Sequence, residues 1–210
     1  ATRWISLDDS EEELLHVAAN ETGEGREDVL EELADAVVLG LRDYCQKSGI
    51  ERIVLGLSGG IDSAVAACVA AEAVGAENVL GISMPSRFSS QHSIDDAQHT
   101  ANALGLEYAC ISIDEHHVGL EQELATLLEQ GAKVAQENIQ ARLRGILVMA
   151  HANAQGRMAI ATGNKSELAQ GYCTLYGDMA GGYTPLGDVY KMDVYGLAEV
   201  FNRRAIERGQ

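Results

Sequence analysis

Three short apolar runs, "RIVLGLS" (52–58), "NVLGISM" (78–84) and "LEYACISI" (106–113), constrain this chain more than any other feature. The first is β-branched and leucine-rich, the pattern of a strand buried on both faces, and the other two repeat it at similar length. Between them lie two stretches of helical character. "DSAVAACVAAEAVG" (62–75) is expected to open at Asp62 or Ser63 and close near Gly75. "SIDDAQHTANALG" (93–105) has Ser93 as its cap, Asp96 three residues on in place of the usual Glu, and Gly105 at its end. Strand, helix, strand, helix, strand, with short connections, requires right-handed crossovers and a parallel sheet. The expected fold is α/β, a Rossmann-like doubly wound parallel sheet with helices on both faces.

The remaining sequence extends this frame. "REDVLEELADAVVLGLRDYCQKSG" (26–49) reads as an amphipathic helix with Val29, Leu33, Ala36, Val37, Gly40, Leu41 and Tyr44 on its apolar face and Gly49 as its stop. Two further helices are predicted over 119–130 and 135–155, a fourth strand over "RMAIATG" (157–163), and a last helix over 192–207. The polar, glycine-rich segment between strand and last helix, 164–191, is long for a loop inside a compact domain, and such loops usually carry function. The whole of 1–210 is expected to form one domain, with residues 1–25 as an acidic N-terminal segment.

Charge and cysteine content narrow the classes of function. A net charge of −17 argues against a nucleic-acid partner bound through a general basic surface. No apolar run approaches the roughly 20 residues of a membrane span, and the acidic start is unlike a signal peptide, so a cytoplasmic protein is expected. Cys45, Cys68, Cys110 and Cys173 form no C-x-x-C pair. Cys68 and Cys110 lie in apolar segments and are expected to be small buried hydrophobes. No metal is assigned to the histidines.

The chemistry concentrates in "LGLSGGIDSA" (55–64), at the turn from the first strand into its helix. Ligands of such sheets bind at the carboxyl ends of the strands. A helix start offers free N–H groups and the positive end of its dipole, which together bind anions. Gly59 and Gly60 would let the backbone approach an anion, and Ser58 and Ser63 would add hydroxyl donors. The Walker pattern and the G-x-G-x-x-G fingerprint are both absent. The pattern is instead S-G-G-x-D-S, whose Asp62 suits a phosphate site if Mg²⁺ bridges carboxylate and polyphosphate.

This stretch resembles the pyrophosphate loop of the ATP pyrophosphatase superfamily, whose members split ATP between its α- and β-phosphates to adenylate a substrate. The blocks "GISMPSRFSS", "DDA", "ENIQARLRG", "TGNKSELAQGYCTLYGDMAGG" and "PLGDVYK" follow in order and are similar to signature blocks of NAD⁺ synthetases, over about residues 26–200. The wording of "TGNKSE" and "TLYGDMAGG" is closer to the glutamine-dependent type than to the short ammonia-dependent one.

The resemblance implies an adenine nucleotide alpha hydrolase-like fold and a ligase that amidates deamido-NAD⁺ with ATP, Mg²⁺ and ammonia. It implies that Gly56, Leu57, Ser58, Gly59, Gly60, Asp62, Ser63, Thr162 and Lys191 bind ATP. Asp62 and Glu167 would hold Mg²⁺, and Asp62, Lys191 and Asp178 would carry the catalysis. Asn138, Arg142, Arg144, Lys165, Glu167 and Asp178 would line the deamido-NAD⁺ site. Arg142 and Arg144, two apart on one helix, diverge by about 200° and cannot both face one ligand equally. One would serve a phosphate, and the other a subunit contact or an acidic neighbour.

A homodimer is expected, as is a fused or separate glutamine amidase in the native protein. Neither an amidase domain nor the family's C-terminal covering segment is expected within residues 1–210. Two alternatives stand beside this reading. One is another ligase of the same superfamily with a different acceptor, as in the synthetases of GMP or asparagine or in tRNA-modifying relatives. The other is a nucleotide-binding module without catalysis, against which the presence of both Asp62 and Glu167 weighs.

Overall fold

The computed structural model describes residues 24–128 and 133–209; the acidic N-terminal segment lies almost wholly outside them. Strands β1 (Ile53–Gly56), β2 (Val79–Ser83), β3 (Glu107–Cys110) and β4 (Met158–Ala159) form one parallel sheet in the order β3-β2-β1-β4. Ile53 pairs with Val79 on one side and with Met158 on the other, while Leu80 pairs with Glu107. The helices are α1 (Glu24–Ser48), α2 (Ile61–Val74), α3 (Gln91–Leu104), α4 (Asp114–Glu123), α5 (Ala125–Leu128), α6 (Lys133–Gln155), α7 (Lys165–Gln170) and α8 (Lys191–Glu207).

The period of two along each strand divides the core into two layers. Ile53, Leu55 and Val79 pack with Val65, Val69, Leu41 and Leu197 beneath α1, α2 and α8. Val54, Leu80 and Ile82 pack on the other face with Val148 and Ala152 of α6 and with Ile113. The sheet is thus covered on both faces, and the expected α/β architecture holds.

Several local expectations change. On α1 the buried stripe is Leu30, Ala34, Val38, Leu41 and Cys45, which shares Leu41 with the predicted face; Leu33 and Val37 are partly buried beside it, while Val29 and Tyr44 are exposed. The helix carries two apolar stripes, and its neighbours choose between them. Leu30 lies against Gly196 of α8, where a β-carbon would come within 2.7 Å of its methyl groups. Helix α3 starts earlier than predicted, because Ser90 rather than Ser93 is its cap and accepts the Ser93 N–H at 3.1 Å. Helix α2 is capped by Gly60, with no side-chain hydrogen bond.

The helix predicted from 119 begins at Asp114, where Ser112 Oγ accepts the Asp114 N–H at 3.2 Å. The end of that predicted helix, 129–130, lies outside the described residues. Cys45 and not Cys110 is the buried cysteine, since Cys110 is exposed on β3. Cys68 packs against the main core, and burial pushes its thiol up to about 12.

Among the described residues no helix is long and apolar enough to cross a membrane.

Candidate active site

Strand order reverses between β1 and β4, and the loops leaving their carboxyl ends meet there, at the switch point where such sheets bind ligands. The β1 loop is fastened at its base by Leu57 N–H on Ile82 O (2.8 Å). Above that it closes on itself. Ser63 Oγ accepts the Ser58 N–H (3.2 Å) and donates to Gly60 O (2.8 Å), while Ser58 Oγ accepts the Gly60 N–H (3.2 Å). The two serines therefore shape the loop rather than standing free as donors.

Gly59 has φ +80°, and a β-carbon there would meet Ser93 O at 2.2 Å. Its missing side chain admits the backbone of α3, a use different from the expected approach of an anion. The first turn of α2 opens beside this loop without a side-chain cap.

Two cavities flank the loop. One of about 390 Å³ runs under β1 and β2 to α6, and includes Arg144, Gly145, Thr162 and Asp178 in its lining. The other, about 210 Å³, includes Asp62, Ser63, Gly163, Glu167 and Cys173. Ser58, Thr162 and Asp178 line both, so the two form one crevice pinched at the loop.

Around the smaller cavity the charged groups are linked. Lys191 Nζ, at the start of α8, donates to Asp62 Oδ2. Asn164 Nδ2 donates to the other oxygen, Asp62 Oδ1, at 3.0 Å. Asn164 caps α7 in a reciprocal box: its Oδ1 accepts the Glu167 N–H (3.0 Å), and Glu167 Oε2 accepts the Asn164 N–H (3.1 Å). Ser166 Oγ accepts the Lys191 N–H at 3.0 Å. Asn164 is fully buried. Sequence reasoning missed both Asn164 and Ser166. The N-x-x-E spacing could have revealed the capping box, but nothing local reveals the reach to Asp62.

The residues expected for the acceptor separate. Arg144 lines the larger cavity, donates from Nε to Met84 O (3.1 Å), and burial lowers its guanidinium from the ordinary arginine range. Arg142 is exposed and donates to Leu175 O (3.2 Å). Both arginines thus hold backbone carbonyls; among the described residues neither pairs with an acidic side chain, which leaves the subunit contact of the two alternatives. Asn138 Oδ1 accepts from Thr174 Oγ1 (2.8 Å), and Asp178 Oδ1 accepts the Thr174 N–H (2.8 Å). Lys165 lines neither of these cavities: its ammonium lies 3.7 Å from Asp188 and over the Tyr190 ring at 4.9 Å.

Segment 174–178 sits tightly on α6. A β-carbon on Gly145 would meet Tyr176 O and Gly177 O at 3.0 Å, and one on Gly177 would meet the Ala141 β-carbon at 2.9 Å. Tyr176 holds φ +61°, rare for a bulky residue, with its side chain exposed.

A helix start, a paired carboxylate and ammonium, a second carboxylate and a half-buried arginine border one crevice. A family model described as NAD synthase matches residues 33–207. The chain belongs to the NAD synthase family. Over 161 residues, 76 % of the chain, it is 54 % identical to a glutamine-dependent NAD(+) synthetase of Rhodobacter capsulatus, of which it covers 29 %. The solved glutamine-dependent NAD+ synthetase from Acinetobacter baumannii in complex with ADP superposes with a TM-score of 0.79 at 43 % identity, over 81 % of this chain and 32 % of that one. The NMN synthetase from Francisella tularensis gives 0.74 at 34 % identity, over 82 % and 71 %. The chain thus spans less than a third of the curated relative's length. This NAD synthase domain has the ligase family's Rossmann-like fold.

Proposed function

We propose that this domain amidates deamido-NAD⁺ to NAD⁺, consuming ATP and releasing AMP and pyrophosphate. The observation that carries the reading is that Asp62 and Glu167 line one cavity beside the β1 loop, with the Lys191 ammonium bonded to Asp62. Two carboxylates with room for phosphate oxygens fit Mg²⁺, which takes one or two protein carboxylates and fills its other positions from phosphate and water. When bound there by Asp62 and Glu167, Mg²⁺ would neutralise the β- and γ-phosphates as they leave.

This chain's own groups would do the rest. The β1 loop and α2 start receive the phosphates, and Thr162, Gly56 and Leu57 border the nucleotide. Lys191 moves from its partner Asp62 to the charge developing on pyrophosphate. Arg144 and Asp178, in the larger cavity, orient the acceptor. Its nicotinate carboxylate attacks the α-phosphorus, the bond to the β-phosphate bridging oxygen breaks, and an acyl-adenylate forms. Ammonia then attacks the acyl carbon, AMP leaves, and one proton is released. Asn138, Arg142 and Lys165 would meet the acceptor with donors not engaged by Thr174, Leu175 and Asp188, or after releasing them.

Cytoplasmic location, a homodimer and a glutamine amidase supplying the ammonia belong to the same proposal. A second reading keeps the chemistry and shortens the acceptor to a mononucleotide, supported by the likeness to an NMN synthetase. One experiment addresses both. The domain is given ATP, Mg²⁺, an ammonium salt and either deamido-NAD⁺ or nicotinate mononucleotide, and the products are resolved. AMP and pyrophosphate with the dinucleotide are expected. Turnover confined to the mononucleotide would favour the second reading, and ADP with orthophosphate would defeat both.

A further inference from the structure

The three charged groups of the candidate site come from three elements: Asp62 from α2, Glu167 from α7 and Lys191 from α8. They are far apart in sequence, yet each is bonded to the single turn Asn164–Glu167. Asn164 Nδ2 holds Asp62, Asn164 and Glu167 hold each other through the reciprocal cap, and Ser166 Oγ holds the backbone of Lys191. The turn is itself anchored by Lys165 N–H on Val189 O at 2.9 Å. Asn164 is the central member. It is fully buried, and its donor and acceptor face two different carboxylate-bearing residues. A helix cap needs only the acceptor. The donor aimed 102 positions back along the chain is surplus to capping.

We propose that Asn164 is a positioning residue that fixes the Asp62 carboxylate relative to Glu167, so that the two present one geometry to a divalent cation. The proposal rests on the ligase reading for the divalent cation at Asp62 and Glu167 and for its partner, ATP. A carboxylate held by a neighbouring hydrogen bond keeps its orientation toward a metal, and removing such a partner typically weakens metal affinity by about 10- to 100-fold.

Asn164→Ser separates the two duties, because Ser is an equally good cap and is too short to reach Asp62. Three measurements are made on the whole chain: crystal structures of wild type and variant, calorimetric titration with ATP in the presence of Mn²⁺ and in its absence, and the same titrations in an Asp62→Asn background. The expected result is an intact α7 with a displaced Asp62 side chain, about 10-fold weaker Mn²⁺-dependent ATP binding, and unchanged metal-free binding. The Asn164→Ser effect should vanish when Asp62 is already Asn, since Asn164 acts through it.

An Asp62 that keeps its place in the variant, or an equal loss in both backgrounds, overturns the proposal. If wild type binds no ATP at all while Asp62 is displaced in the variant, the ligase reading fails and the positioning role stands. Should Asn164→Ser not fold, Asn164→Thr, which keeps a cap oxygen and is likewise too short to reach Asp62, carries the same comparison.

Discussion

A single oxygen separates the two uses a chain can make of Asp62. As a first-turn acid it would merely complement the α2 dipole, an effect of about 0.3–1 kcal/mol. As a cation ligand it would stabilise a transition state. Asp62→Asn keeps the shape, so the melting temperature should change little while adenylation, read as pyrophosphate release, falls at least ~10²-fold. Full activity in the variant would leave Asp62 as a helix-start acid. Asp62, Glu167 and Lys191 were legible in the sequence because each sits in a signature block. Asn164 was not, because an Asn before Lys-Ser-Glu reads as an ordinary cap, and its second bond reaches 102 positions back along the chain. The divergence of Arg142 and Arg144 was legible from helix geometry. What each holds was not, since Leu175 and Met84 offer carbonyls that no pattern announces.

Helix α1 shows what periodicity leaves open at the scale of an element. Two apolar stripes overlap on it: the predicted face is right at Leu41 and, partly buried, at Leu33 and Val37, and wrong at Val29 and Tyr44. On the Leu30 side, Arg203 and Arg204 of α8 reach Glu31 at 2.6 and 2.5 Å. Those two guanidinium hydrogen bonds hold the Glu31 carboxyl below its ordinary value of 4.5. A carboxyl with a depressed native pKa contributes stability that is present above the unfolded value and is lost as the pH falls through the native one. Wild type should therefore melt above Glu31→Gln at neutral pH, and the gap should close as the pH is taken below 4.5. Since Glu31 is partly exposed, the gap should also narrow with salt. Melts of the two proteins across that range check it. A gap constant from neutrality to acid would mean that the clasp contributes no charge-dependent stability.

For the molecule as a whole, the parallel sheet and its two covering layers were readable because apolar runs and helical periods alternate with short connectors. The place of β4 beside β1, which creates the switch point, was not, since a two-residue strand carries almost no pattern. If the crevice there takes ATP with Mg²⁺, ligand at about 100 times its dissociation constant should add about 2.7 kcal/mol to stability. For a domain of this size that is a rise in melting temperature of roughly 5–10 °C. Scanning calorimetry with and without Mg²⁺ reads it, and no rise in either case would argue against a nucleotide site.

The fit of segment 174–178 on α6 also limits how the crevice can change shape. Gly145 and Gly177 leave less clearance than one methyl group between helix and segment. Surfaces seated that closely cannot shear past one another, because the first ångström of sliding drives carbonyl oxygens into the helix. The remaining freedom is along the normal. The segment can open only by rising off α6 as a flap, shedding its bonds to Asn138 and Arg142 together, so its motion should be all-or-none rather than graded.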